Sequence, residues 1–224
     1  MKVLIACEES QRVCMAFREK GHEAYSCDIQ KCGGGMPKYH ILMDVLAVIN
    51  GGTMRLQTGE KIEIDRWDLI IAHHPCTYLS NAATRSHSAR MTPINWINAR
   101  TQSRIQAMDF FMKFMNADCD KIAIENPVGV MNKCYRAPDQ IINPYDFAES
   151  VNDTENYVTK STCLWLKGLK PLVTNGLPKP DNGEIFGRYS NGKKKCWEDT
   201  YTRSGAVRSK TFPGIAKAMA EQWG

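Results

Sequence analysis

A thiol and a carboxylate, Cys76 and Glu125, each follow a short apolar run. Leu69-Ile70-Ile71-Ala72 precedes Pro75-Cys76, and Ile122-Ala123-Ile124 precedes Glu125-Asn126-Pro127. Runs of this length read as buried strands. In an open α/β sheet the ligand crevice lies beyond the carboxyl ends of the strands, so the two groups are expected to share one site. A cysteine thiolate can add to C6 of a cytosine ring while a carboxyl group steadies N3. Addition turns the ring into an enamine whose C5 can attack an electrophile. Such a thiol needs surroundings that lower its pKa, and the acid that holds the base is expected to have a raised one through desolvation. The 49 positions from Cys76 to Glu125 leave room for one loop and one crossover helix.

The elements that must position this pair follow from the pattern of the whole chain. Lys2–Cys7 reads as a first strand, followed by a helix through Val13, Ala16 and Phe17, with Ser10 as its N-cap and Gly21 as its stop. Glu23–Cys27 reads as a second strand ending at Asp28, and His40–Val45 as a third containing Asp44. Trp67–Ala72 and Lys121–Glu125 are the fourth and fifth. Between those two, Ile105, Met108, Met112 and Met115 recur at helical spacing with Phe111 alongside, a core-packing stripe. Gly51–Lys61 reads as a hairpin or loop, Cys163–Leu166 as a later strand, and Pro213 opens a last amphipathic helix. Strands alternating with helices predict a single-domain α/β fold over 1–224 with a doubly wound, mostly parallel sheet.

Composition narrows the class. The chain has 224 residues, 43% of them hydrophobic, enough for one substantial core. No apolar run is long enough to span a bilayer, and no secretory leader is evident, so no membrane association is expected. Nine cysteines without a Cys-x-x-Cys pair read as reduced thiols of a cytoplasmic protein. The net charge of +5 is concentrated. Residues 81–104, with Arg85, Arg90, Arg100 and Arg104 and no acid, carry +4, and 176–210 carry another +4 from eight cations and four acids. Two basic segments flanking the proposed site suit a polyanion. No metal is expected: His73 and His74 point to opposite faces of a strand, and no third ligand is suggested nearby.

Pro75-Cys76-Thr77 and Glu125-Asn126-Pro127, in this order and spacing, resemble the Pro-Cys and Glu-Asn-Val motifs of cytosine-C5 DNA methyltransferases, in the form found in small phage-type members. His74 stands where similar small proteins commonly have a second proline. The resemblance implies a Rossmann-like methyltransferase fold, S-adenosylmethionine as cofactor, and DNA with a flipped cytosine as partner. Cys76 is then the nucleophile and Glu125 the base-holding acid. The cofactor would be held by Cys7, Glu8, Ser10, Asp28, Ile29, Asp44, His73 and Pro75, with Asp28 on the ribose hydroxyls and Asp44 on the adenine amino group. The larger family's glycine-rich turn is replaced by Ala6-Cys7-Glu8-Glu9-Ser10-Gln11, in which Glu8 could reach the cofactor's ammonium or ribose.

The substrate side is expected to use Thr77, Asn126, Arg85 and Arg90. Segment 176–210 reads as a short basic and aromatic insertion in which Lys193, Lys194 and Lys195 grip phosphates and Trp197 and Tyr201 stack on bases. The family's separate target-recognition domain and Arg-x-Arg motif are not evident; Lys160 and Lys167 are candidate replacements for those arginines. Three other readings remain open at this level: C5 chemistry on RNA or a free cytosine nucleotide, methylation of an exocyclic amine, and a non-catalytic nucleic-acid-binding protein on the same scaffold.

Overall fold

A computed structural model describes residues 1–81, 93–181, 190, 192 and 209–224, and the backbone alone of 185–188 and 194–196. In chain order the elements are β1 (Lys2–Ala6), α1 (Arg12–Glu19), β2 (Glu23–Asp28), β3 (His40–Leu42), β4 (Gly52–Arg55), β5 (Lys61–Ile64) and β6 (Leu69–His73). They continue with α2 (Ile94–Met115), β7 (Ile122–Pro127), α3 (Met131–Cys134), β8 (Gln140–Ile142), β9 (Thr162–Lys167), β10 (Ile185–Arg188), β11 (Lys194–Cys196) and α4 (Pro213–Trp223). Single 3₁₀ turns precede and follow β3.

Seven strands form one sheet in the order β3-β2-β1-β6-β7-β9-β8. The first five are parallel; β9 runs antiparallel to β7, and β8 antiparallel to β9. The architecture is thus mixed α/β with a mostly parallel sheet, compatible with a Rossmann-like fold. The chain moves outward from β1 to β3 and then returns to place β6 on the other side of β1. That reversal puts a switch point between the carboxyl ends of β1 and β6. Two further antiparallel pairs, β4-β5 and β10-β11, are separate from the seven strands, although the β4-β5 hairpin touches β3 through an Ile41–Leu56 bridge. Among the described residues no helix is long and apolar enough to cross a membrane.

Period-two alternation divides the core. Leu4, Ala6, Ile70, Ala72, Ile122 and Ile124 face one cluster with Phe111 and Phe114 of α2. Val3, Ile5, Leu69, Ile71 and Ala123 face the other, with Phe17 of α1 and Met219 and Trp223 of α4. Both faces of the central strands are covered, which explains their unbroken apolar sequence.

Some expectations change in detail. Ser10 does not cap α1: Gln11 sits at the cap with φ of 59°, and the carboxylate of Glu8 accepts from the N–H groups of Val13 (2.7 Å) and Cys14 (3.1 Å) instead. Ser10 lies one residue too far from the first turn. Gly21 does end α1, at a φ of 84°. The third strand stops at Leu42, because the side chain of Asp44 turns the chain into a 3₁₀ segment by accepting from Leu46 N–H. Within the methionine stripe, Met115 is buried and Met108 and Met112 pack on the core, but Ile105 is 54% exposed. It lies on the half of α2 whose residues are mostly solvent-facing.

Candidate active site

The carboxyl ends of β1, β2, β6 and β7, with Asp44 two residues beyond β3, bring most of the expected site residues to one edge of the sheet. His73 ends β6 and pairs in register with Glu125 on β7. Same-register neighbours project to the same face, so their side chains meet: His73 Nδ1 lies 3.1 Å from Glu125 Oε2. A carboxylate only accepts, so Nδ1 carries the proton. Thr211, just before α4, places its hydroxyl 3.4 Å from the same nitrogen.

Electrostatics bind these groups further. Burial pulls the His73 pKa down, but the hydrogen bond and charge of Glu125, helped by Glu8, outweigh it and raise the pKa above the ordinary histidine value. Burial pushes Glu125 up, yet the bond and charge of His73, together with Lys160, bring it net below the usual carboxylate range. The expectation of a raised Glu125 is therefore corrected: desolvation is present, but a buried imidazolium partner overrides it. Glu8, almost fully buried, is raised by desolvation against the opposing charge of His73 and the two helix N–H groups it accepts from. His73 Nε2 is buried and has no hydrogen-bond partner among the described residues. An orphan of that kind costs about 1–3 kcal/mol.

Cys76 is exposed, three residues beyond β6, flanked by the exposed Pro75 and Thr77. Its carbonyl accepts from the N–H groups of Leu79 (3.1 Å) and Ser80 (3.0 Å), closing a turn. This turn is tied to the segment after β7: Val130 N–H donates to Leu79 O, Asn81 N–H donates to Val128 O, and Ser80 bridges to Gly129. Gly129 is required there, because a Cβ would sit 1.9 Å from Leu79 O. The loop bearing Cys76 is thus tied to the segment that follows β7, the strand bearing Glu125. From α2, Arg104 Nε donates to Tyr78 O (3.0 Å), and the Arg100 guanidinium lies 5.4 Å from the centre of the Tyr78 ring. These two arginines place positive charge behind the Cys76 turn.

Asn126 lies on the opposite face from Glu125 and is 1% exposed. Its amide lies 3.4 Å from His74 O and 3.5 Å from His74 Nδ1. It therefore braces the Pro75-Cys76 loop from within the core instead of facing solvent as a base contact. His74 itself packs against Phe110, Phe111 and Phe114, with ring centroids 5.1, 5.9 and 6.4 Å away. Burial there pushes its pKa down to about 4.

Across the switch point, Cys7 and Gln11 are the only non-glycine residues with positive φ among the described residues, at 57° and 59°. They take left-handed conformations that glycine adopts more readily, at a cost of about 1–2 kcal/mol each. Gln11 compensates by clamping Met36, donating to its carbonyl (2.9 Å) and accepting from its N–H (3.0 Å). Cys7 lies within the fields of Asp28 and Asp44. Its thiol is pushed up to about 12, first by burial and then by those two carboxylates. Each acid spends Oδ1 on a local turn, Asp28 on Gln30 N–H and Asp44 on Leu46 N–H, both at 2.9 Å. Neither Oδ2 has a partner among the described residues. Ile29 beside them is 78% exposed. Glu8 is the exception, since its carboxylate is taken by α1 and is not available to a cofactor's ammonium or ribose.

The chain matches no protein-family model, and no curated protein is similar to it.

Other expected residues separate. Lys160, ahead of β9, lines a small cavity with Glu125, Thr162 and Thr211. Lys167 is at the far end of β9, where its ammonium donates to Ala117 O (3.2 Å), so it cannot serve the same site. Arg85, Arg90, Lys193, Trp197 and Tyr201 lie outside the described residues; Lys194 and Lys195 stand on β11, where only the backbone is described. Among the described residues no three metal-ligating side chains gather. Sequence reasoning missed His73 as the partner of Glu125 and Thr211 beside it. The strand register could have signalled the first; nothing local signalled the second.

Proposed function

We propose that the chain is an S-adenosylmethionine-dependent methyltransferase that methylates C5 of cytosine in DNA through a covalent bond between Cys76 and C6. The observation that carries this reading is the pairing of an exposed thiol and a partly shielded acid at the ends of adjacent strands β6 and β7, across a switch point from two half-satisfied carboxylates. Helices on both faces of the central strands make the fold a doubly wound one in this reading, with 176–210 as the basic insertion that grips DNA.

The crevice residues fit the cofactor. Asp28 would take the ribose hydroxyls through its unpartnered oxygen, Asp44 the adenine amino group, and the exposed Ile29 would give the ring an apolar surface. When bound, the cofactor supplies an electrophilic methyl group. The rest falls to the chain's own residues. Arg85, Arg90, Lys193, Lys194 and Lys195 hold the phosphates, while Trp197 and Tyr201 stack on unpaired bases. Cys76 adds to C6 of a base drawn out of the stack, Glu125 holds N3, and Thr77 contacts the flipped nucleotide.

The test is trapping on DNA containing 5-fluorocytosine with S-adenosylmethionine present. A complex that survives denaturation is expected from the parent and none from Cys76→Ser. A Cys76→Ser protein that still methylates C5 at the parent rate overturns the covalent mechanism, and a parent that forms neither adduct nor 5-methylcytosine overturns the assignment.

A further inference from the structure

The site contains one group that the reaction as stated does not use. His73 is buried, its Nδ1 hydrogen-bonded to Glu125 and its Nε2 facing no partner among the described residues. Two other histidines differ from it: His40 has both nitrogens partnered, one 2.9 Å from Ser26 Oγ and the other 2.8 Å from Gln30 O, and His74, whose Nε2 is also without a partner among the described residues, packs on phenylalanine rings instead of a carboxylate.

We propose that His73 is a positioning residue that stores the proton Glu125 delivers to the base. This rests on the cytosine reading above. When the Cys76 thiolate forms its bond to C6, the C5=C6 pair becomes C4=C5 and the C4=N3 pair settles on N3, which must take a proton. A carboxylate paired with an imidazolium has none of its own. Glu125 gives N3 a proton only as Nδ1–H passes its proton to Oε2, leaving His73 neutral. C5 then takes its methyl group from the sulfonium. C5 next sheds its hydrogen as a proton to water and the C6–S bond breaks, releasing the thiolate. N3 returns its proton through Glu125, and His73 is charged again.

The groups facing His73 from every packed element suit this store. Glu125 comes from β7, Glu8 from the turn before α1, Lys160 from the segment before β9 and the Thr211 hydroxyl from the segment before α4. Two carboxylates against one ammonium favour the charged imidazole. Glu8 is itself fixed by two N–H groups of α1 and so is a constant part of the field.

The experiment follows adduct formation on 5-fluorocytosine DNA from pH 6 to 9 for the parent and His73→Asn, which keeps a donor near the position of Nδ1 but cannot titrate. The parent is expected to give a bell, rising as Cys76 ionises and falling as His73 loses its proton. His73→Asn is expected to be slower by about 100-fold near neutrality and to show only the rising limb. A parent that forms adduct while His73→Asn keeps the same bell overturns the role of His73 alone. A parent that forms none overturns the cytosine reading, and this role with it. A second measurement does not depend on that variant folding. The His73 ring titration by nuclear magnetic resonance is expected to move to lower pH in Glu125→Gln, and an unmoved midpoint overturns the proposal.

Discussion

Two adjacent histidines, His73 at the end of β6 and His74 just beyond it, live in opposite worlds. His73 faces the α1 and α4 side, where Glu125 and Glu8 hold it charged; His74 faces the α2 side, where three phenylalanine rings hold it neutral. Neighbouring β7 repeats the division, setting Glu125 against His73 and Asn126 against His74. The same side-chain type thus serves as a cation on one face of the sheet and as an aromatic plug on the other. The difference lies wholly in what the period-two alternation brings near. In the proposed reaction the acid and its histidine partner share one face, and the other braces the Pro75-Cys76 loop.

The sharpest way to break this comparison is the pH dependence of stability, where the two histidines pull in opposite directions. His74 has its folded pKa depressed from 6.5 to about 4, so the unfolded chain binds its proton first. Its contribution is complete above pH 6.5 and is lost as pH falls toward 4, up to about 3 kcal/mol. His73 is raised, so its contribution is complete below 6.5 and is lost as pH rises through its folded value. Denaturant melts across pH should show the acid loss flattened in His74→Phe and the alkaline loss removed in His73→Asn. If both variants change the same limb, the division by faces is wrong.

A smaller effect isolates the brace. Asn126→Ala leaves the His74 carbonyl without its donor inside the core and should lower stability by about 1–3 kcal/mol. The alkaline limb set by His73 should stay where it was, and a shift in that limb would mean the faces communicate. Smallest is Phe110→Leu, which removes the ring nearest His74. It should cost about 1 kcal/mol and shrink the acid loss, which then ends at slightly higher pH as water gains access and the folded His74 pKa rises toward 6.5. Calorimetric melts at pH 5 and pH 8 would separate the two contributions.

What the sequence disclosed, and what it withheld, follows the same physics. Strands β1, β2, β6 and β7 were plain because buried parallel strands leave continuous apolar runs, and their ends located Asp28, Cys76 and Glu125. The positions of Cys7 and Gln11 in left-handed conformations were not readable, since neither residue type announces a positive φ. Glu8 looked like a ligand group because a carboxylate after a first strand has two uses, and only the length of the turn decides that it caps α1. The strand β8 was too short, and Gln140 to Ile142 too ordinary, to register. The pairing of His73 with Glu125 needed the register of β6 on β7, and the displaced pKa of Glu125 needed that pairing.

Gly129 carries a final consequence. Because the turn after Cys76 is hydrogen-bonded to the segment after β7, with only a hydrogen atom's width between them, the Cys76 turn and the strand bearing Glu125 belong to one mechanical unit. Motion of the sheet edge is expected to carry both together. In the proposed reaction, whatever opens to admit the base is then expected to hinge elsewhere.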